Sequence, residues 1–278
     1  MGNICVIGPR GSGKTTYLAA LAYFPEQRSA SGKKSLFNVQ SLTDEARTIA
    51  EKAESLILEG ASLPPTQIGE QIKSVDDLPM YSFKLEVQQF LRKSQDIFLT
   101  VRDYPGEVFD ELDGGNINPL HEEFIDECMV KDVSGCLLLL SDWGAGSDRH
   151  YSRVMQRFIE MMDSHERLTD MRVAVAMSKC ERGELWSGRL DPETDLFRVH
   201  LPKTYKVLRN KITGKNNLNF YAISTFGVLQ RNDPRPNRTE VGFGGKQSIL
   251  RKPTRWQPYG MIAPLYWLST GKQVNYDS

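Results

Sequence analysis

Gly8-Pro9-Arg10-Gly11-Ser12-Gly13-Lys14-Thr15 is a complete G-x-x-x-x-G-K-[ST] pattern, set between an apolar run, Ile4 to Ile7, and a stretch of helical character from Thr16 to Phe24. Its chemistry is anion binding. Gly8, Gly11 and Gly13 let the backbone curl so that successive N–H groups point inward at a phosphate, and the helix that follows adds the positive end of its dipole. Lys14 is expected to reach the β- and γ-phosphates and stabilise their charge, and the Thr15 hydroxyl to ligand Mg²⁺. Arg10, Ser12 and Thr16 complete the set expected to surround the bound phosphates. A second cluster, Asp103-Tyr104-Pro105-Gly106, closes another apolar run. An aspartate there can orient Mg²⁺ across from the phosphate loop, and Gly106 lets a backbone N–H approach a γ-phosphate closely.

The remainder of the chain alternates short apolar runs with helical periodicity, in the manner of a parallel sheet wrapped by helices. Gly135 to Leu140, Val173 to Met177 and Leu218 to Ile223 read as strands, and Arg149 to Leu168, Pro202 to Ile212 and Pro264 to Ser269 as helices. Tyr81, Phe83, Leu85 and Val87 alternate as a half-buried strand does, Ile97 to Val101 reads as the next, and Asn118-Pro119 opens a helix with a cap residue followed by proline. The first helix is expected to stop before Pro25. Ser41 to Glu59 carries Ala46, Ile49, Ala50, Ala53, Leu56 and Ile57 at helical spacing, with Gly60 as its stop. The reading is one three-layer α/β domain over residues 1–278, with a helical insert near 41–60, an insert near 181–200 and a basic loop near 228–259.

Asp103-x-x-Gly106, placed after a phosphate loop and an intervening strand, resembles the third motif of the translation-factor and Ras-like class of P-loop GTPases. The resemblance extends to Ser178-Lys179-Cys180-Glu181, directly after the Val173 strand, where that class carries [NT]-K-x-D, and to Ile223-Ser224-Thr225 at the end of the following strand. It implies that the Lys179 stem lies against a guanine ring, that Glu181 accepts from the ring N–H and amino groups, and that Ser178 and Ser224 complete the base site. Thr66 in Leu63-Pro64-Pro65-Thr66 falls where the class has a mobile loop that closes on Mg²⁺. Leu-Pro-Pro-Thr, the Lys14-Thr15-Thr16-Tyr17-Leu18-Ala19-Ala20-Leu21 helix start and the closing Ala263-Pro264-Leu265-Tyr266-Trp267-Leu268 together resemble the bacterial double-GTPase group over nearly the whole chain. The resemblance implies a mostly parallel central sheet with one antiparallel edge strand at Tyr81 to Val87, and a GTP-binding molecular switch. Glu107 stands where many of these proteins have a water-orienting glutamine, and its charge beside phosphate oxygens opposes substrate binding. Residues 53–72 contain no arginine or lysine, so hydrolysis is expected to be slow, with Lys14, Thr66, Gly106 and Glu107 as the catalytic set. Two other readings stand beside it: a P-loop ATPase or phosphotransferase, which leaves Glu181 idle, and a nucleotide-loaded interaction module without useful turnover.

Formal net charge is zero, which offers no electrostatic case for nucleic acid or membrane. The charge is nevertheless laid out in blocks. Residues 103–132 hold ten acidic residues against Lys131, a surface that can recruit a basic protein partner; a solvated helix face is the plainer account. Residues 228–255 hold five arginines and two lysines against Asp233 and Glu240, and their prolines and glycines predict a mobile surface loop. The four cysteines show no C-x-x-C spacing and the histidines are scattered, which suits a reducing compartment and no metal cluster of that type. With no membrane-length apolar run and no signal core, the chain is expected to be cytoplasmic and unanchored.

Overall fold

Residues 136–140 are apolar without a break, and a strand of that kind needs cover on both faces. The computed structural model describes residues 3–30, 37–59, 77–78, 80–87, 94–102, 107–112, 119–214, 216–230, 232–241 and 247–273. The chain begins with β1 (Asn3–Ile7), α1 (Lys14–Ala30), β2 (Phe37–Ser41), α2 (Asp44–Glu51), β3 (Met80–Val87) and β4 (Gln95–Arg102). There follow α3 (Glu107–Glu111), α4 (Pro119–Met129), β5 (Val133–Leu140), α5 (Ala145–Ser164), β6 (Arg172–Met177), α6 (Arg198–His200), α7 (Pro202–Lys211) and β7 (Leu218–Ala222). Four short strands, β8 (Val228–Gln230), β9 (Asp233–Pro236), β10 (Arg238–Val241) and β11 (Gln247–Leu250), precede the closing helix α8 (Ala263–Thr270).

The fold is α/β. Strands β1, β5, β6 and β7 form a parallel sheet in the order β1-β5-β6-β7. Successive side chains of β5 take opposite faces. Cys136, Leu138 and Leu140 pack with α4, α5 and α7, whereas Leu137 and Leu139 pack with α1 and α8. On the second face β6 presents only Ala174 and Ala176, which leaves room for the large Tyr266 and Trp267 of α8. Beside this sheet lies an antiparallel one, β2-β3-β4, joined to β1 where the Thr100 hydroxyl donates to Asn3 Oδ1 at 3.3 Å.

Strand β3 is antiparallel and buries Tyr81, Phe83, Leu85 and Val87, as their alternation predicts. It is not an edge, because β2 pairs along its outer side from Phe37↔Val87 to Ser41↔Phe83. Only Phe37 and Val39 of β2 are apolar, too few for a periodic signal. Helix α1 also runs through Pro25 instead of stopping there. A helix-interior proline costs about 3 kcal/mol, and the buried Phe24, edge-on to Trp256 at 5.1 Å and beside Phe37, offsets it from outside the helix. The helical stretch expected from Ser41 is capped by the Thr43 side chain, which accepts from Ala46 N, ends at Glu51 and resumes as a wider turn over Ser55–Glu59. Gly60, its expected stop, lies outside the described residues. The insert near 181–200 is short helical turns, Gly183–Leu190 and Pro192–Phe197 followed by α6. The basic segment is not a bare loop: β8 pairs with β9 and β10 with β11, and Leu229, Asn237, Leu250 and Trp256 are buried. Among the described residues no helix is long and apolar enough to cross a membrane.

One cap comes from far away in the chain. Leu201, at the start of α7, has no side-chain oxygen to offer. Asp148, buried in the first turn of α5, supplies it, accepting from Lys203 N at 3.0 Å, Thr204 N at 2.9 Å and Thr204 Oγ1 at 2.9 Å. Asp148→Ala is expected to cost about 2 kcal/mol, because buried N–H donors lose their acceptor, and Asp148→Asn less, because one acceptor remains. Urea denaturation checks it; an unchanged midpoint in the alanine variant would show that water replaces the cap.

Candidate functional site

The carboxyl ends of parallel strands are where open α/β sheets leave a crevice. Four segments meet at that end: residues 8–13 after β1, 141–144 after β5, 178–181 after β6 and 223–224 after β7. In the first, Gly11 (φ +76°) and Gly13 (φ +90°) hold left-handed conformations that side chains rarely adopt. Gly8 is required for a different reason: a Cβ there would stand 2.4 Å from Leu139 O and 2.8 Å from Ser12 Oγ. Lys14 opens α1 and lies across its own loop, its ammonium donating to Gly8 O at 2.6 Å and Pro9 O at 3.3 Å. Thr15 and Thr16 are half-buried in the first helical turn, which has no acidic residue, and Arg10 is exposed on the loop. Ser12 is buried, yet its Oγ has no hydrogen-bond partner among the described residues.

The turn after β6 is locked onto this loop. Ser178 N–H donates to Leu140 O at 2.8 Å, and its hydroxyl reaches Ser12 O, 166 positions away, at 2.8 Å. Lys179 sits at φ +56°, a strained conformation for a lysine, and its ammonium donates to Gly11 O at 2.6 Å. Burial, with Arg238 and Arg182 nearby, lowers the Lys179 pKa. Cys180 N–H then bonds Ile223 O at 3.0 Å, which ties the turn to the end of β7.

Glu181 completes the turn with its side chain wholly buried. Its Oε2 accepts from the Ser224 hydroxyl at 2.6 Å, and Ser224 Oγ accepts from Gly227 N at 2.8 Å, while the Ser224 backbone pairs with Tyr259. Its Oε1 has no hydrogen-bond partner among the described residues; the Arg238 guanidinium stands 3.7 Å away. Burial pushes the Glu181 pKa up, opposed by the Ser224 hydrogen bond and the charges of Arg238 and Lys179. Orphaned buried oxygens cost about 1–3 kcal/mol each, and two of them, Ser12 Oγ and Glu181 Oε1, lie on the two linked segments.

Gly8, Arg10, Gly11, Ser12, Gly13, Lys14, Thr15, Thr16, Ser178, Lys179, Glu181 and Ser224 are thus brought to one end of the sheet. Thr66, Asp103 and Gly106 lie outside the described residues, as does the side chain of Glu107, whose backbone opens α3. Sequence reasoning missed Arg238 and the Tyr259 backbone. Arg238 lay in a segment noted for its charge, but nothing in that composition singles out which arginine reaches the site. It also missed Trp143 after β5, whose Nε1 donates to Glu184 Oε1 at 3.0 Å beneath the Arg182 guanidinium.

No protein-family model matches the chain, and no curated protein matches it. Among solved structures it is similar to the S. cerevisiae Ski7 GTPase-like domain bound to GTP, at 14% identity and a TM-score of 0.44 over 99% of this chain and 51% of that one. The chain therefore spans about half the length of that structure. It is also similar to the G domain of the T. maritima FeoB iron transporter, at 11% identity and a TM-score of 0.30 over 81% of this chain and 88% of that one.

Proposed function

We propose that the chain is a guanine-nucleotide-binding molecular switch that hydrolyses GTP slowly with Mg²⁺, acts in the cytoplasm and is akin to the bacterial double-GTPase group. The observation that carries this reading is the buried Glu181 carboxylate, with Oε2 held by Ser224 and Oε1 without a hydrogen-bond partner among the described residues, two positions after a lysine clasped to the loop of residues 8–13. A guanine edge offers two adjacent N–H donors, which an ionised carboxylate satisfies; an adenine edge offers one donor beside an acceptor that a carboxylate opposes. Ser178 anchors the turn, and on this reading the Lys179 stem lies along the base.

On this reading Gly8, Arg10, Gly11, Ser12, Gly13, Lys14 and Thr16 hold the phosphates, with the orphaned Ser12 hydroxyl as one donor to them. Thr15, Thr66 and Asp103 form an all-oxygen donor set that suits Mg²⁺, and the ion supplies positive charge to the β- and γ-phosphates when bound. Gly106 senses the γ-phosphate. Glu107 adds negative charge near it, which slows hydrolysis and leaves room for a partner to supply a cation. On this reading the acidic stretch 103–132 recruits such a partner; within it α4 buries Phe124, Ile125, Cys128 and Met129 and leaves Glu122 and Glu123 exposed.

Titration with fluorescent GTP and ATP in Mg²⁺ tests the reading. GTP is expected to bind roughly a hundredfold tighter, because hydrogen bonds to a charged group are worth about 1.5–3 kcal/mol each and about 3 kcal/mol is a factor of about a hundred. Equal affinities would overturn the base assignment, and binding of neither nucleotide would overturn the phosphate loop as well.

A further inference from the structure

Glu181 is enclosed by identifiable charges. Lys179 and Arg182 share its turn, the charge of Asp142 just after β5 acts on Lys179, and Ser224 donates from the end of β7. From the far side comes Arg238, the first residue of β10, with its side chain 10% exposed and its second terminal nitrogen bonded to Glu240 Oε1. Arg238 is not there by the reach of a flexible side chain alone. Asn237, fully buried, fixes the backbone just before it: its N–H bonds Gly227 O at 2.9 Å, its Oδ1 accepts from Lys252 N at 2.8 Å and its Nδ2 donates to Lys252 O at 3.1 Å. Gly227 in turn donates to Ser224 Oγ, the hydroxyl that holds Glu181. One chain of hydrogen bonds thus sets the Glu181 carboxylate and the Arg238 guanidinium in a common frame.

We propose that Arg238 is a positioning residue for base recognition: its guanidinium neutralises and aims the Glu181 carboxylate so that Oε1 faces the guanine edge. The inference rests on the guanine-binding reading above and assigns a task to the basic segment that the phosphate-loop motifs do not require. The geometry favours aiming over capture, because 3.7 Å is near enough for attraction and too far for a hydrogen bond, so the buried Oε1 is held by charge and carries no hydrogen bond among the described residues.

The test is the ratio of GTP to ATP affinity as a function of pH, measured with fluorescent analogues of both; titration of the triphosphate is common to the two and cancels. Glu181 accepts from guanine only when ionised, and burial raises its pKa, so the preference for GTP falls as pH drops through a midpoint above the ordinary carboxylate range. Arg238→Gln removes the opposing charge and is expected to move that midpoint to higher pH, with a loss of roughly tenfold in preference for each pH unit of displacement at pH values below it. ATP affinity stays the same and Arg238→Lys restores the parent profile. Glu240→Gln, on an exposed carboxylate that competes for the same guanidinium, is expected to move the midpoint the other way, and it keeps the test decisive should Arg238→Gln fail to fold. If the parent prefers GTP and neither variant moves the midpoint, the role of Arg238 is overturned while the base reading stands. If the parent shows no preference at any pH, the base reading falls and this inference with it.

Discussion

Lys14→Ala is expected to lower triphosphate affinity by about a hundredfold while the protein stays folded. The lysine ammonium offers charge-assisted hydrogen bonds to phosphate oxygens, each worth about 1.5–3 kcal/mol, and the loss of about 3 kcal/mol is a factor of about a hundred. In the structure that ammonium donates to Gly8 O and Pro9 O, carbonyls of the loop it spans. A bound phosphate competes for the same donor, so truncation removes a ligand contact without opening the core, and Lys14 is only half-buried. Titration calorimetry measures the affinity and a thermal melt verifies the fold. Unchanged affinity in a folded variant would remove the phosphate-loop assignment.

Glu181→Ala is expected to erase the preference for GTP, by about a hundredfold, with little change in ATP affinity. Among the described residues one carboxylate oxygen, Oε1, has no hydrogen-bond partner, and on the proposed reading the hydrogen bonds it would accept from a guanine edge are of the charge-assisted kind. Stability moves in a different direction, which separates this role from a structural one. The folded-state pKa of Glu181 is raised by burial, so the folded protein takes up a proton that the unfolded chain has released, and the stability linked to it is lost as pH rises through the raised value. Glu181→Gln keeps the shape and removes the buried charge. It should therefore gain stability relative to the parent as pH rises through that value while losing guanine preference. Denaturant melts across the pH range read the first effect and nucleotide titrations the second. A variant that loses stability at every pH and keeps its preference would mean that Glu181 serves only to fold the end of β7.

Several elements could be read in advance because their physics is local. Strands β5 and β6 are nearly continuous apolar runs, and β3 alternates with a period of two, so burial on both faces or on one face follows from residue order. The turn of residues 8–13 is legible for the same reason: three glycines at fixed offsets specify a backbone path. Where reading failed, the deciding contact came from a distant part of the chain. Helix α1 crosses Pro25 because Trp256 and Phe37 pack on Phe24. Strand β2 has too little apolar character to announce itself and exists by pairing with β3.

The sequence by itself determined the α/β alternation and the glycine-rich turn of residues 8–13, because strand burial and such a turn depend on neighbours within a few positions. It also named Ser178, Lys179, Glu181 and Ser224, on resemblance. Only the tertiary structure decided that Ser178 and Lys179 bond the loop and that Glu181 and Ser224 bond each other: the parallel order β1-β5-β6-β7 carries the three strand ends together, and the hydrogen bonds Ser178 to Ser12, Lys179 to Gly11 and Ser224 to Glu181 then close over gaps that no local pattern spans. The same holds for Arg238. Charge composition places several arginines in its segment, but which of them stands 3.7 Å from a buried carboxylate is set by the clamp of Asn237 on Gly227 and Lys252, a packing outcome that residue types alone do not encode.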